Sequence, residues 1–574
     1  MLKITVLLSI ATCVVGQIDT AYTSSEFYTF NKNTHRQPPH IIFITADDLG
    51  WNDVSFHGSP QIPTPNIDAL AASGIVLNNY YVENLCTPSR AAFMTGRYPI
   101  HTGLMHNVIR SGEATALPIK FKILPQFLKN KGYTTHMVGK WHLGFYENKY
   151  TPVKRGFDSF FGFFNGKIDY YDYTNYEKYE DFVGMPFFGV DLYDGINLIK
   201  NFRGKYATET FTEKAVKVIE NHNSSKPLFL FLSHFAPHLG NEYYPLQAPD
   251  SYVQKMNHIK EPKRRIFGGM ISALDTSIGK VIQTLSQRGF LKNSIIVFSS
   301  DNGGETEVTG FDSRGSVWPL RGQKFTYFEG GIRVPSFLWS PLLGLKEPRI
   351  ANQLMHISDW LPTLYSAAGG HVSDLGDIDG ISMWQALKYN TASPRTEVLH
   401  NIDQIASMYG LRKGDYKLIA SKILELEQQW VGPTGFEDMP APPSMDDWVF
   451  QNGSIVRDIL QASNLWLLKT KDEWRNGLKV HCRGVLEGEE VVDMCNKGDK
   501  ACLFNIAEDP CERRNIAHLY PEIVKSMMEI VERYNATTVE PLTQDRDPKA
   551  DPRCHDFAFV PWREKGATSS CKFM

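Results

Sequence analysis

The sequence predicts an α/β fold: a mostly parallel central sheet flanked by helices, followed by a smaller α+β domain with an antiparallel sheet. Three observations carry this. Four short apolar runs are continuous rather than alternating, as strands buried on both faces are. Helical patterns lie between them, and strand–helix alternation puts helices on both faces of a sheet. The character then changes near residue 395. Beyond it come shorter mixed segments, several tryptophans and six of the eight cysteines.

In chain order, the apolar runs are Ile41-Ile42-Phe43-Ile44, Thr134-Thr135-His136-Met137-Val138, Leu228-Phe229-Leu230-Phe231-Leu232 and Ile295-Ile296-Val297-Phe298. Helices are predicted from Pro65 to Ser73, ended by Gly74, and from Ile266 to Ser286, ended near Gly289. A late helix is predicted from Pro521 to Tyr534. A chain of 574 residues exceeds one ordinary core. The predicted division is a leader at 1–16, a catalytic domain at 17–395 and a smaller domain at 396–574.

The leader has Lys3 before an apolar stretch from Ile4 to Val15, with Gly16 behind it. That pattern is a signal peptide, and the stretch is too short to span a bilayer comfortably. No later segment is long and apolar enough to span one, so no stable membrane insertion is expected. Sequons at Asn223, Asn452 and Asn535 fit glycosylation in the secretory pathway, ending in the lysosome or outside the cell. Net charge is -3, without the basic excess of a nucleic-acid binder. Lys263-Arg264-Arg265 reads as a solvated helix end.

The residues just past each apolar run point to chemistry. The first run leads to Asp47-Asp48, the second to Lys140 and His142, the third to His234 and His238, the fourth to Asp301-Asn302. Ligand sites in open α/β sheets lie beyond the carboxyl ends of the strands. One edge therefore gathers carboxylates, an amide, a lysine and imidazoles, which suits a metal-assisted hydrolase. Hard oxygens of this kind favour Ca²⁺ or Mg²⁺.

Cys86 stands apart. Cys13 leaves with the leader, the six late cysteines form an even set and predict three bridges, and Cys86 is left alone. By count alone an inert buried thiol is the ordinary reading. Its context changes that. Cys86-Thr87-Pro88-Ser89-Arg90 opens a helical stretch closed by Gly96, with Pro88 suited to a first turn. A helix N-terminus favours an anion, and Arg90 can brace an oxyanion from one turn on.

Cys86-x-Pro88-Ser89-Arg90, continuing to Thr95-Gly96-Arg97, resembles the signature of the type I sulfatases. The second family segment, Gly-Tyr-x-Thr-x-x-x-Gly-Lys-Trp-His-Leu-Gly, is matched from Gly132 to Gly144. Further likeness lies at Asp47 to Val54, Pro319 to Lys324 and Glu329 to Pro335, and it is similar by eye to the arylsulfatase B (N-acetylgalactosamine-4-sulfatase) subgroup. The resemblance implies an alkaline-phosphatase-like core and one Ca²⁺. Its ligands would be Asp47, Asp48, Asp301, Asn302 and Cys86, the last converted to formylglycine by a formylglycine-generating enzyme. Arg90, Lys140, His142, His238 and Lys324 match the remaining active-site positions. Two histidines stand in Ser233 to His238, and the excursion Leu239 to Tyr244 interrupts the match there; the Pro237-His238 pairing selects His238.

The implied reaction is hydrolysis of a sulfate ester. One hydroxyl of the hydrated aldehyde attacks sulfur, and the second, deprotonated by His142, expels sulfate. Lys140, Lys324, Arg90 and the metal balance the sulfuryl charge, and His238 or Lys324 protonates the leaving alcohol. A glycosaminoglycan sulfate is the first substrate expected, and a small-metabolite sulfate such as a glucosinolate is the alternative. A phosphodiesterase or phosphonate hydrolase on the same core, or a silent binding protein, would need other or missing residues. Trp141 and Asp379 read as structural, and His57, His101 and His106 as surface or supporting residues. Cys502 with Cys511 is the expected local bridge.

Overall fold

A computed structural model describes residues 37–178, 185–420, 429–432, 453–468, 474–482, 495 and 501–564. The leader and Asn452 lie outside these. From Pro38 on, the chain forms one compact unit. Its strands are β1 (His40–Ala46), β2 (Ile75–Leu77), β3 (Thr134–Lys140), β4 (Ser159–Phe163), β5 (Tyr193–Asp194), β6 (Asn197–Leu198), β7 (Leu228–Ser233), β8 (Ser294–Ser300), β9 (Ser336–Trp339) and β10 (Arg349–Ala351). They form one ten-stranded sheet in the order β10-β2-β9-β8-β1-β7-β3-β4-β5-β6. The five central strands, β8 to β4, are parallel throughout. Antiparallel pairs occur only toward the edges of this sheet, at β8–β9, β9–β2, β4–β5 and β5–β6. All four predicted runs are central parallel strands.

Burial on both faces explains why those runs are uninterrupted. Ile42 and Ile44 of β1 pack on one face with α1 (Pro65–Ala71), α3 (Ala207–Asn221) and α4 (Pro262–Gln287). Ile41 and Phe43 pack on the other with α2 (Cys86–Thr95). The α4 helix starts earlier than predicted. Glu261 caps it, its carboxylate accepting from the Lys263 and Arg264 amides, and Pro262 suits its first turn.

That cap corrects the reading of the basic run. Arg264 is fully buried rather than solvated. It pairs with Asp53 at 2.6 Å and donates to Gln61 Oε1 at 2.7 Å. Spacing alone cannot reveal a buried partner two hundred residues away.

The smaller sheet begins at Glu397. Strands β11 (Glu397–Asp403), β12 (Met408–Lys413), β13 (Tyr416–Ala420) and β14 (Cys502–Asn505) form a four-stranded antiparallel meander. Its apolar side packs with Met527, Ile530 and Val531 of α5 (Pro521–Asn535), the late helix. The cysteines pair differently from expectation. Among the described residues, bridges join Cys482 to Cys511 and Cys495 to Cys502, each with Cα atoms 5.5 Å apart. Cys502 opens an extended strand that carries the chain away from it before Cys511 is reached. Cys554 is also disulfide-bonded, and Cys86 is free. Among the described residues, no helix is long and apolar enough to cross a membrane.

Candidate active site

The carboxyl ends of the central strands converge as expected. Asp47 and Asp48 follow β1, Lys140 ends β3, and Asp301 and Asn302 follow β8. Cys86 opens α2, with Arg90 one turn later. All are buried. Asp48 and His142 take positive φ, 61° and 57°, which turns each out of the strand direction toward the site.

Arg90 is the hub. Its Nε and Nη2 donate to Asp301 Oδ2 at 3.0 and 2.7 Å. Its Nη1 donates to the Lys140 carbonyl at 2.9 Å and to Ser233 Oγ at 2.7 Å. Each lysine takes one carboxylate: Lys140 Nζ lies 2.6 Å from Asp47 Oδ2, and Lys324 Nζ lies 2.6 Å from Asp48 Oδ2. Asn302 Nδ2 donates to the other Asp48 oxygen at 2.6 Å. The Cys86 thiol points at Asp47 Oδ1, 3.5 Å away.

The two histidines are held in defined tautomers. His142 Nε2 sits 3.0 Å from the Ile109 carbonyl, which can only accept. In the neutral ring the proton is therefore on Nε2, and Nδ1 presents a lone pair. That Nδ1 is buried without a partner. Burial, then Lys140 and Arg90, hold His142 well below the usual imidazole range. Gly166 makes room for it, since a Cβ there would lie 2.7 Å from the imidazole. His238 Nδ1 sits 2.7 Å from the Leu239 carbonyl, so its Nε2 accepts from Lys324 Nζ at 3.4 Å. His234 faces away, its Nε2 2.8 Å from Ser277 Oγ in α4. Of these two neighbours, His238 faces the site and His234 does not.

The residues fit a hard divalent cation. Asn302 Oδ1 is buried and accepts no hydrogen bond. Asp47, Asp48 and Asp301 supply carboxylate oxygens beside it. Asp47, Asp48, Cys86 and His238 also offer ligand atoms within 4.8 Å of one another. Oxygen chemistry favours Asp301 and Asn302 over the ring nitrogen, which Lys324 already engages. Burial, then Asp301, raises Asp47 to about 7, against Lys140 and Arg90. Crowded buried carboxylates of this sort need positive charge. Burial likewise holds the Cys86 thiol well above its usual range. A thiol so held is a weak nucleophile.

Two site residues escaped the sequence reading. Ser233 ends β7 and braces Arg90. Glu305 is buried 3.7 Å from Lys324, and with Asp48 it keeps the lysine charged against the cost of burial. Glu305 comes directly after Asp301-Asn302-Gly303-Gly304, so its place beyond a strand was the signal available. The residues read as supporting lie outside the centre. His57 stacks on Trp51 at 3.7 Å. His101 and His106 pair with Asp379 and Asp403, each at 2.8 Å. Trp141 is buried, its Nε1 donating to the Gly144 carbonyl.

Residues 39–370 match the sulfatase family. The chain is 40% identical to mouse arylsulfatase J over 534 residues, 91% of this chain and 80% of that protein. It is 32% identical to human N-acetylgalactosamine-6-sulfatase over 367 residues, 61% of this chain and 66% of that one. Among solved structures, Ps i-CgsB in complex with k-i-k-neocarrahexaose superposes with a TM-score of 0.67 at 26% identity, covering 90% of this chain and 97% of that one. With more than half of the chain matching the family and a relative 40% identical over most of both lengths, the chain belongs to the sulfatase family, enzymes that hydrolyse sulfate esters.

Proposed function

We propose that this sulfatase acts on a sulfated saccharide, with Cys86 converted to formylglycine and one Ca²⁺ held by Asp47, Asp48, Asp301, Asn302 and residue 86. The observation that carries the reading is the pairing of a buried, partnerless Asn302 oxygen with three carboxylates around a free cysteine at a helix start. When present, the aldehyde hydrate and the cation supply an oxygen nucleophile and positive charge for the sulfuryl oxygens.

The chain's own residues do the rest. Arg90, Lys140 and Lys324 surround the place where sulfuryl charge develops. Asp301 and Ser233 hold the Arg90 fork, so it needs no reorganisation during reaction. His142 Nδ1 offers the free lone pair required of a general base. The Lys324–His238 pair stands ready to pass a proton to the leaving alcohol. Asp47, Asp48, Asp301 and Glu305 against three cations leave room for a divalent ion and a monoanionic ester.

The saccharide class is supported by two relatives' names, a hexosamine sulfatase and a protein crystallised with a neocarrahexaose. The arylsulfatase B-like placement and glycosylation at Asn223 and Asn535, both exposed, belong to the same reading, as do a cleaved leader at 1–16, a domain division near residue 395 and a lysosomal or extracellular destination. The test compares sulfate release from 4-nitrophenyl sulfate with phosphate release from 4-nitrophenyl phosphate. Sulfate release should dominate, and Cys86→Ser should lower it by at least about 10³-fold, as removal of a covalent nucleophile does. Preferred phosphate release, or a serine variant as active as the parent, contradicts the reading.

A further inference from the structure

Directly after His238 the chain makes a short excursion, Leu239 to Tyr244, before turning back at Pro245. The Gly240 amide donates to the Pro245 carbonyl at 2.8 Å and closes its base. The excursion carries two aromatic side chains into solvent: Tyr243 is 44% exposed and Tyr244 69%. Adjacent exposed rings offer an apolar surface that a ligand can cover.

The loop is not loose. Asn241 is fully buried and spends its amide on holding it. Its Nδ2 donates to the Thr174 carbonyl at 2.9 Å and to the Tyr243 hydroxyl at 2.8 Å, while its Oδ1 accepts from the Tyr176 amide at 2.9 Å. Tyr243 then meets Tyr176 and Tyr244 edge-to-face, at 6.0 and 5.9 Å between ring centroids. Gln247 Nε2 ties the Tyr244 carbonyl to Asp169, at 2.7 and 2.6 Å.

The same loop touches both histidines of the centre through its neighbours. The Tyr170 hydroxyl donates to the His238 carbonyl at 2.8 Å. Gly166 lies against the His142 ring, and next to it Lys167 reaches Glu242 of the excursion at 4.0 Å. The excursion is thus anchored to the centre on two sides, in sequence through His238 and in space through Lys167, the neighbour of Gly166. A rigid, exposed aromatic pair on the loop that directly follows His238 has the chemistry of a sugar platform. Pyranose C–H faces stack on such rings, and fixing the rings beforehand avoids ordering them on binding.

We propose that Tyr243 and Tyr244 form a subsite for a pyranose ring beyond the sulfated unit, and so determine the preference for oligosaccharide over small sulfate esters. This rests on the sulfatase reading and extends it. The platform sits outside the charge-bearing centre, so removing it should spare turnover of a small ester.

The test measures kcat/KM of the parent, Tyr244→Ala and Tyr243→Phe on a sulfated tetrasaccharide and on 4-nitrophenyl sulfate. Tyr244→Ala should lose about 3- to 10-fold on the tetrasaccharide, in the range of a lost aromatic contact, and less than about 2-fold on the aryl ester. Tyr243→Phe keeps the ring but cuts its tether, and should lose a smaller part, mainly in KM. Equal losses on both substrates, or none on the tetrasaccharide, overturn the subsite. If the parent cleaves the aryl ester but no sulfated saccharide, the subsite falls and the sulfatase centre stands. If it cleaves neither, the catalytic reading fails with it.

Discussion

At the scale of single residues, each role turns on what the side chain already holds. His142 keeps a free Nδ1, so His142→Ala should lower kcat by about 10²–10⁴-fold, the usual worth of a general base. The two histidines near β7 separate cleanly. His238→Ala should impair turnover, whereas His234→Gln should leave kinetic constants near the parent's. The second change should instead cost about 1 kcal/mol in stability, measured by urea unfolding, through its bond to Ser277. Most of the site was legible because its members stand at fixed offsets from apolar runs. Asp47, Lys140 and Asp301 each end or follow a strand, and an edge of a parallel sheet is where such residues meet. Glu305 and Ser233 were not legible. Each stands at or just beyond a strand end, which puts it near the site, but the partner it acts through, Lys324 or Arg90, comes from another segment that no local pattern pairs with it.

At the scale of elements, β3 does more than pair. Gly139 precedes Lys140 with a φ of 108°, and a Cβ there would lie 1.8 Å from the Ser233 carbonyl oxygen. Gly139→Ala should both destabilise the sheet and displace Lys140 and Ser233, lowering stability and activity together in thermal melts and kinetics. The opposite end of the same strand carries a pH dependence. His136 lies near His222, which in turn packs on His40, with Asp158 opposing them. Burial, then His222, lowers His136 from 6.5 to about 4. The folded state therefore prefers the neutral ring. Its contribution is complete above pH 6.5 and is lost as pH falls toward 4. His136→Gln should flatten the drop in melting temperature over that window, and an unchanged slope would contradict this. The strands themselves were easy to read, since burial on both faces leaves continuous apolar runs. Their edge partners, such as Tyr193–Asp194, were not, because two-residue strands carry no periodicity.

At the scale of the whole molecule, the small sheet is bolted to the catalytic half by buried charge. Lys417 of β13 sits between Glu329 and Glu512, 2.8 Å from each, all three fully buried. The Glu512 carboxylate also accepts from the Glu329 amide at 2.7 Å, and its carbonyl accepts from Arg321 at 2.9 Å. Arg321 begins the turn that delivers Lys324. Lys417→Met would take the lysine from Glu512 and leave Glu329 to Arg333, 3.5 Å away, and should cost about 3–5 kcal/mol in unfolding free energy. Neutral substitution would show that the charges are not coupled. This joint was invisible in the sequence, where the character change near residue 395 suggested separate units. Glu329 and Glu512 lie far from Lys417 along the chain, one on each side, and no local pattern links them. The late segment likewise returns over the catalytic half, with the Val539 amide on the Ile100 carbonyl and the Leu542 amide on the Gly103 carbonyl. Such contacts leave no trace in composition.

All three scales meet at residue 86, a cysteine whose surroundings suit a metal and an oxyanion better than a thiol. The most direct measurement is the mass of the peptide spanning residue 86, taken from enzyme purified in active form. The side chain is predicted to carry an aldehyde oxygen in place of sulfur, in proportion to specific activity across preparations. Unmodified cysteine throughout a fully active preparation would contradict it.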